Sequence, residues 1–246
     1  MTPGADWVRR ARPLLGTIVE VGARAGRVST EAAVAAAFDT LADAQARLSR
    51  FEPASVVARF NAARAGSTFA VDRPTAEVLA AAQSLRDATA GVFDISLCSA
   101  PHGWLLDDGR LHKLCARTQL DLGGIAKGYA VDCAVEAMMA RGCQGGWVNA
   151  GGDIRAFGDA AVPLVLRDER SGGVRPFALL SCGSFATSHF DVSSRSEAAA
   201  PNAVRAHASV AAPLCLWADA LTKVVAVTSD ASHPMLRHHG ARAWLH

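Results

Sequence analysis

The 246-residue chain is half hydrophobic and one-fifth charged, so it can bury a full core and is not a disordered protein. Its formal net charge of +2, without a dense basic stripe or an acidic tail, argues against general nucleic-acid binding. No apolar run reaches the roughly eighteen residues of a membrane span, and the N-terminus shows no apolar signal core, so a cytoplasmic protein is expected. Residues 1–11 read as a loose arm. Leu14 to Gly22 reads as a strand from its β-branched alternation. Ser29 then precedes a helix whose Val34, Phe38, Leu41 and Leu48 share one face. Phe51 to Asn61 is a loop entering a short helical turn, and Thr68 to Val71 is a short strand. Asp72 and Pro74 open the next helix, which stops before Gly91. Residues 97–110 look irregular. Gln119 to Leu122 is extended, and a helix runs from about Ile125 to a terminating Gly142. Strands follow at 146–150, 153–157, 162–167, 176–181 and 207–212, with a loop over 192–206. Helices at 216–227 and 232–239 and a strand at Ala243–Leu245 end the chain. Without regular βαβ alternation, this is an α+β fold with a mostly antiparallel sheet, read as one domain.

The six cysteines form neither a C-x-x-C pair nor a zinc spacing, and they read as buried thiols in a reducing compartment. Chemistry concentrates at three places. Asp121 and Lys127 flank a Gly123-Gly124 turn into a helix N-terminus. There a carboxylate can accept from a ligand and a lysine can meet a phosphate, or the pair can serve as a cap and a solvated side chain. The dinucleotide and P-loop glycine signatures are absent. Asp153 follows a second Gly-Gly turn, either as a turn residue or as a carboxylate facing the same cavity. Asp219 opens an apolar helix, where the dipole favours a carboxylate and where Mg²⁺ would also find an oxygen ligand. Lys223 lies four residues on along the same face. Of the histidines, only His189 and His207 fall near these segments, as structural residues or as a general base.

The ordered set 120–132 (LDLGGIAKGYAVD), 148–155 (VNAGGDIR), 186–188 (ATS) and 218–223 (ADALTK) resembles the ApbE family, the FAD:protein FMN transferases. Leu15-Gly16-Thr17, Leu48 to Asn61 and Gly91-Val92-Phe93-Asp94 resemble its N-terminal marks. The resemblance implies a two-lobed α+β fold with FAD in the cleft. It implies Mg²⁺ on the pyrophosphate, and transfer of FMN to a Ser or Thr hydroxyl of an acceptor protein with release of AMP. Carried over, Leu15, Phe51, Trp104, Asp121 and Lys127 line the flavin nucleotide, and the Gly124 carbonyl and Asp219 hold the metal. The family's His-Ile-Ile-Asp-Pro-type segment is missing, which leaves His207 or His189 to stand in near the phosphate. The family's metal-binding Thr is Lys223 here, and Thr222 is turned about 100° away on a helix. Two alternatives follow: an FAD pyrophosphatase yielding FMN and AMP, and an FAD-binding protein that has lost transfer.

Overall fold

The computed structural model describes residues 7–24, 29–97, 99–100, 102–168, 173–189 and 207–246. The elements run β1 (Trp7–Leu14), β2 (Thr17–Arg24), α1 (Thr30–Leu48), α2 (Val56–Ala62), β3 (Thr68–Ala70), α3 (Arg73–Ala88), β4 (Trp104–Asp107), β5 (Arg110–Lys113), α4 (Ala126–Ala140), β6 (Gly145–Ala150), β7 (Asp153–Gly158), β8 (Val162–Asp168), β9 (Gly173–Leu180), β10 (Gly183–His189), β11 (His207–Ala212), α5 (Cys215–Thr228), α6 (Pro234–His238) and β12 (Arg242–Leu245). Every strand pair among the described residues is antiparallel, as expected for the α+β class. The main sheet has the order β1-β2-β6-β7-β10-β11-β12, and a smaller sheet has the order β3-β5-β4.

Helix starts follow local chemistry. The Ser29 hydroxyl accepts from the Ala32 N–H, and the Asp72 carboxylate accepts from Thr75 N–H at 3.0 Å, with Pro74 in the first turn. Gly142, at φ 76°, follows the end of α4. The core is built in three parts. Val34, Phe38 and Leu41 of α1 pack with Val131, Val135 and Met138 of α4 beneath β2 and β6. Leu221, Val224 and Val225 of α5 lie on Ala186, Ala208 and Val210, whose small side chains let the helix come close to β10 and β11. That cluster continues through Phe60, Leu79, Leu85 and Leu111 into α2, α3 and the small sheet. On the opposite face, the β8–β9 hairpin covers Ile154 and Phe185.

Three expectations are corrected. The loose arm over 1–11 is strand from Trp7 onward, paired from Trp7↔Arg24 to Leu14↔Thr17, while residues 1–6 lie outside the described set. The single strand read over 14–22 is therefore the end of β1, a turn and most of β2. Within residues 97–110, read as irregular, Trp104–Asp107 is β4, which pairs with β5 (Arg110–Lys113) in a hairpin closed by Asp108 and Gly109 at positive φ (42° and 67°). The loop expected over 192–206 lies outside the described residues.

Candidate functional site

The segment before α4 has no strand partner, yet it is pinned. Asn61, at the end of α2, donates from Nδ2 to Leu120 O (2.9 Å) and accepts from Leu120 N–H at Oδ1 (2.7 Å). This side-chain amide copies a strand's pair of backbone bonds, and Asp121 N–H adds a bond to Ile95 O at 2.8 Å. The Asp121 carboxylate accepts from Gly123 N–H (2.9 Å) and lies 3.6 Å from the Arg50 guanidinium. The two-residue turn of Gly123 and Gly124 then delivers the chain into α4. Gly128 has a separate reason to be glycine: a β-carbon there would strike the Cys215 carbonyl and the Asp219 side chain. The close approach lets Gly128 N–H donate to Asp219 Oδ2 at 3.1 Å.

Two cavities meet on this turn. One, of about 280 Å³, is lined by Phe93, Asp94, Leu97, Gly124, Lys223 and Val227 together with Asp121 and Gly123. The other, of about 270 Å³, is lined by Leu15, Gln45, Arg50, Phe51 and Lys127, again with Asp121 and Gly123. Asp121 is thus the wall common to both, and each cavity carries one lysine. Leu15 sits in the β1–β2 turn at φ 54°, a left-handed conformation that costs a non-glycine residue about 1–2 kcal/mol, and its N–H donates to Gln45 Oε1 at 2.6 Å. Phe51 stands on the rim, 69% exposed, with the Arg50 guanidinium 4.8 Å from its ring centre. A ring so placed offers a ligand a stacking surface.

Behind the turn lies a quartet of charges built on two buried carboxylates. Lys127 pairs with Asp153, which the Gly151-Gly152 turn places at the start of β7, and Lys223 pairs with Asp219 one helical turn away. Asp153 and Asp219 are almost wholly buried. Burial and the adjacent Asp219 charge push the Asp153 carboxyl up to about 6, against the pull of Lys127 and Lys223. Burial works the same way on Asp219, but Lys223, Lys127 and the Gly128 N–H outweigh it and hold that carboxyl below the ordinary range. Lys127, only partly exposed, is held above the ordinary lysine range by Asp219 and Asp153, against the opposing effect of desolvation.

The raised Asp153 value has a sign. Between about pH 4 and pH 6 the folded protein holds a proton that the unfolded chain releases, so this group's contribution to stability falls as pH rises through that window. Thermal melts of the wild type and Asp153→Asn across it are expected to show the wild type losing ground to the variant. A difference that does not vary with pH would show that Asp153 titrates normally.

Asp121, Lys127, Leu15 and Phe51 line one cavity together, and Trp104 does not join them. It is 1% exposed and lines neither cavity; its indole N–H donates to Asp94 Oδ1 at 3.3 Å, so it stands one residue behind the first cavity. His207 is corrected as well. Along β11, Ala208 and Val210 face α5, so alternation places His207 on the opposite face with Ser209 and Ala211, away from Asp219. His189 pairs with His207 in the backbone register, and its side chain lies outside the described residues. Two contributors lie inside the motifs quoted for the resemblance but receive no role there. Ser188 bonds Thr222 (2.7 Å) and Lys223 (3.1 Å), and Asp132 accepts from Cys215 and Leu216 N–H at the start of α5.

The residues do not fit a divalent cation held by Gly124 and Asp219. The Lys223 ammonium lies against the Asp219 carboxylate, and the lysine stem crosses Gly124, with Cε 3.3 Å from where a β-carbon would stand. No group of three or more His, Cys, Asp or Glu side chains able to hold a metal occurs among the described residues.

The antiparallel α+β scaffold thus carries a cleft of two cavities, each lined by one lysine of an ion pair. The ApbE family model matches residues 15–110 and 101–190, and the chain belongs to that family. No curated protein sequence matches it. Among solved structures, it is similar to the flavin transferase ApbE from Vibrio cholerae at 17% identity and TM-score 0.82, covering 98% of this chain and 93% of that one. The ApbE protein from Thermotoga maritima aligns at 22% identity and TM-score 0.84, covering 97% and 94%. The Pseudomonas stutzeri flavinyl transferase ApbE aligns at 21% identity and TM-score 0.79, covering 100% and 94%. At these identities the likeness is one of fold. No helix among the described residues is long and apolar enough to cross a membrane.

Proposed function

We propose that the protein transfers FMN from FAD to a Ser or Thr hydroxyl of an acceptor protein, releasing AMP. The observation that carries this reading is that Asp121 and Gly123 form the common wall of two cavities, each lined by one lysine. FAD has that form: two bulky halves joined by an anionic pyrophosphate. Leu15 and Phe51 supply apolar and aromatic surface, Asp121 accepts from ligand N–H or O–H groups, and Lys127 and Lys223 face the phosphates as point charges. In the reaction the acceptor oxygen bonds to the flavin-side phosphorus and the P–O bond to the AMP phosphate breaks. AMP leaves with the bridging oxygen, and the hydroxyl proton passes to solvent. Such a transfer rests mainly on positioning and charge neutralisation, and no side chain is assigned as general base. Membership of the ApbE family supports the reading.

A second reading, FAD binding without transfer, is favoured by one observation: His207 lies on the sheet face away from Asp219. One experiment separates the two, together with the hydrolytic alternative. Purified protein is incubated with FAD and a lysate of the source organism, then resolved on a denaturing gel read by flavin fluorescence, with AMP measured by chromatography. Transfer gives a fluorescent acceptor band and matching AMP. AMP and FMN without a band show a pyrophosphatase, and bound FAD with neither product shows a binding protein.

A further inference from the structure

We propose that the Lys223 ammonium is this chain's resident cation, taking the place between Asp219 and Gly124 that a divalent metal would need, so that the nucleotide site works without bound Mg²⁺. The inference rests on the flavin reading only for the identity of the ligand.

The coordination is complete. An ammonium has three N–H donors, and Lys223 Nζ has three oxygen partners: the Asp219 carboxylate, Asp219 O at 3.0 Å and Ser188 Oγ at 3.1 Å. These are hard oxygen donors of the kind Mg²⁺ takes. Spacing explains the fit: positions 219 and 223 are one turn apart on α5, so the amine folds back onto the carboxylate of its own helix. Thr222 cannot replace Lys223 as a metal ligand, because its hydroxyl donates to Asp219 O at 2.7 Å and is bonded to Ser188 at 2.7 Å.

Charge points the same way. Asp153 with Lys127 and Asp219 with Lys223 make a neutral quartet. The Lys223 side chain is only 15% exposed, so a dication on Asp219 would either face an ammonium at contact distance or force it out of a nearly dry place. The pyrophosphate then meets an ion pair, not a metal, at each cavity: Lys127 with Asp153 at one and Lys223 with Asp219 at the other.

The test uses the full chain stripped of metal with EDTA. Uptake of Mn²⁺ is followed by electron paramagnetic resonance, with and without FAD, and FAD affinity is measured in EDTA and in excess MgCl₂. The wild type is expected to take up no Mn²⁺ and to bind FAD equally in both media. In Lys223→Thr the Asp219 carboxylate is released, so Mn²⁺ is expected to bind and FAD affinity to rise at least about tenfold with Mg²⁺. Mn²⁺ uptake by the wild type, or a Mg²⁺-dependent FAD affinity in it, overturns the proposal. So does a folded Lys223→Thr protein that still excludes Mn²⁺. Should that variant not fold, the wild-type measurements decide alone. If FAD binds in neither medium, the flavin reading fails, and Mn²⁺ uptake by the protein alone still decides the role of Lys223.

Discussion

Replacing Asp132 with alanine is expected to cost about 3–5 kcal/mol of stability, the usual penalty for stripping a buried charge network of one partner. Asp132 sits on α4, but its carboxylate receives Cys215 N–H and Leu216 N–H, each at 2.8 Å. It also receives the Arg155 guanidinium at 2.9 Å. Helix α5 has no cap from its own side chains, so Asp132 caps it from another helix. Removing it leaves two N–H groups unmet and Arg155 without this partner, and it loosens the helix that carries Asp219 and Lys223. Asn in its place keeps an acceptor but loses the charge, so Asp132→Asn is expected to be intermediate. Chemical denaturation checks the series, and a melt of Asp132→Ala within error of the wild type would contradict the cross-helix cap.

Asp121→Ala is expected to act on the ligand rather than on the fold. Its carboxylate is partly accessible and belongs to both cavities, and its backbone bond to Ile95 O survives the substitution. Loss of a charged acceptor facing the ligand is expected to weaken FAD binding by about 10–100-fold, in line with about 1.5–3 kcal/mol for a hydrogen bond to a charged group. Asp121→Asn keeps an oxygen for Gly123 N–H and is expected to recover part of the affinity. Fluorescence titration gives the numbers, and unchanged affinity in Asp121→Ala would remove the residue from the site.

Much of the scaffold can be read locally, because local chemistry sets it. Ser29, Asp72 with Pro74 and Gly142 mark helix ends by their own side-chain or backbone properties. The missed elements carry little hydrophobic contrast. β1 exposes Arg9, Arg10 and Arg12 along a sheet edge, where no alternation is required. The strand β10 buries Ser184 and Ala186, small residues that do not register as an apolar face. The β4–β5 hairpin is missed for another reason: its Asp108-Gly109 turn carries a strong hairpin signal, yet it is read as irregular chain.

The site divides in the same way. Asp121 and Lys127 stand beside a glycine turn and announce themselves, whereas Asp219, read as opening its helix, lies beyond the first turn of α5, which starts at Cys215 and holds no acidic residue there. Whether Lys127 meets a ligand alone or a buried Asp153 depends on a contact 26 residues away. The cap from Asp132 spans 83 residues. The face on which His207 falls depends on the β10–β11 register, and no property of the histidine reveals that register. Trp104 shows the converse: the resemblance put it at the flavin, but packing against the Arg86 guanidinium, 4.6 Å from its ring, keeps it in the core.

One cleft, divided by Asp121, is proposed to hold both halves of FAD. Isothermal titration of the purified protein with FAD, repeated in the presence of saturating FMN and then of saturating AMP, tests this. FAD is expected to bind in the micromolar range, about −8 kcal/mol, with each half-molecule competing on its own and more weakly than FAD. FAD that fails to bind, or that binds undisturbed by either half, would contradict that arrangement.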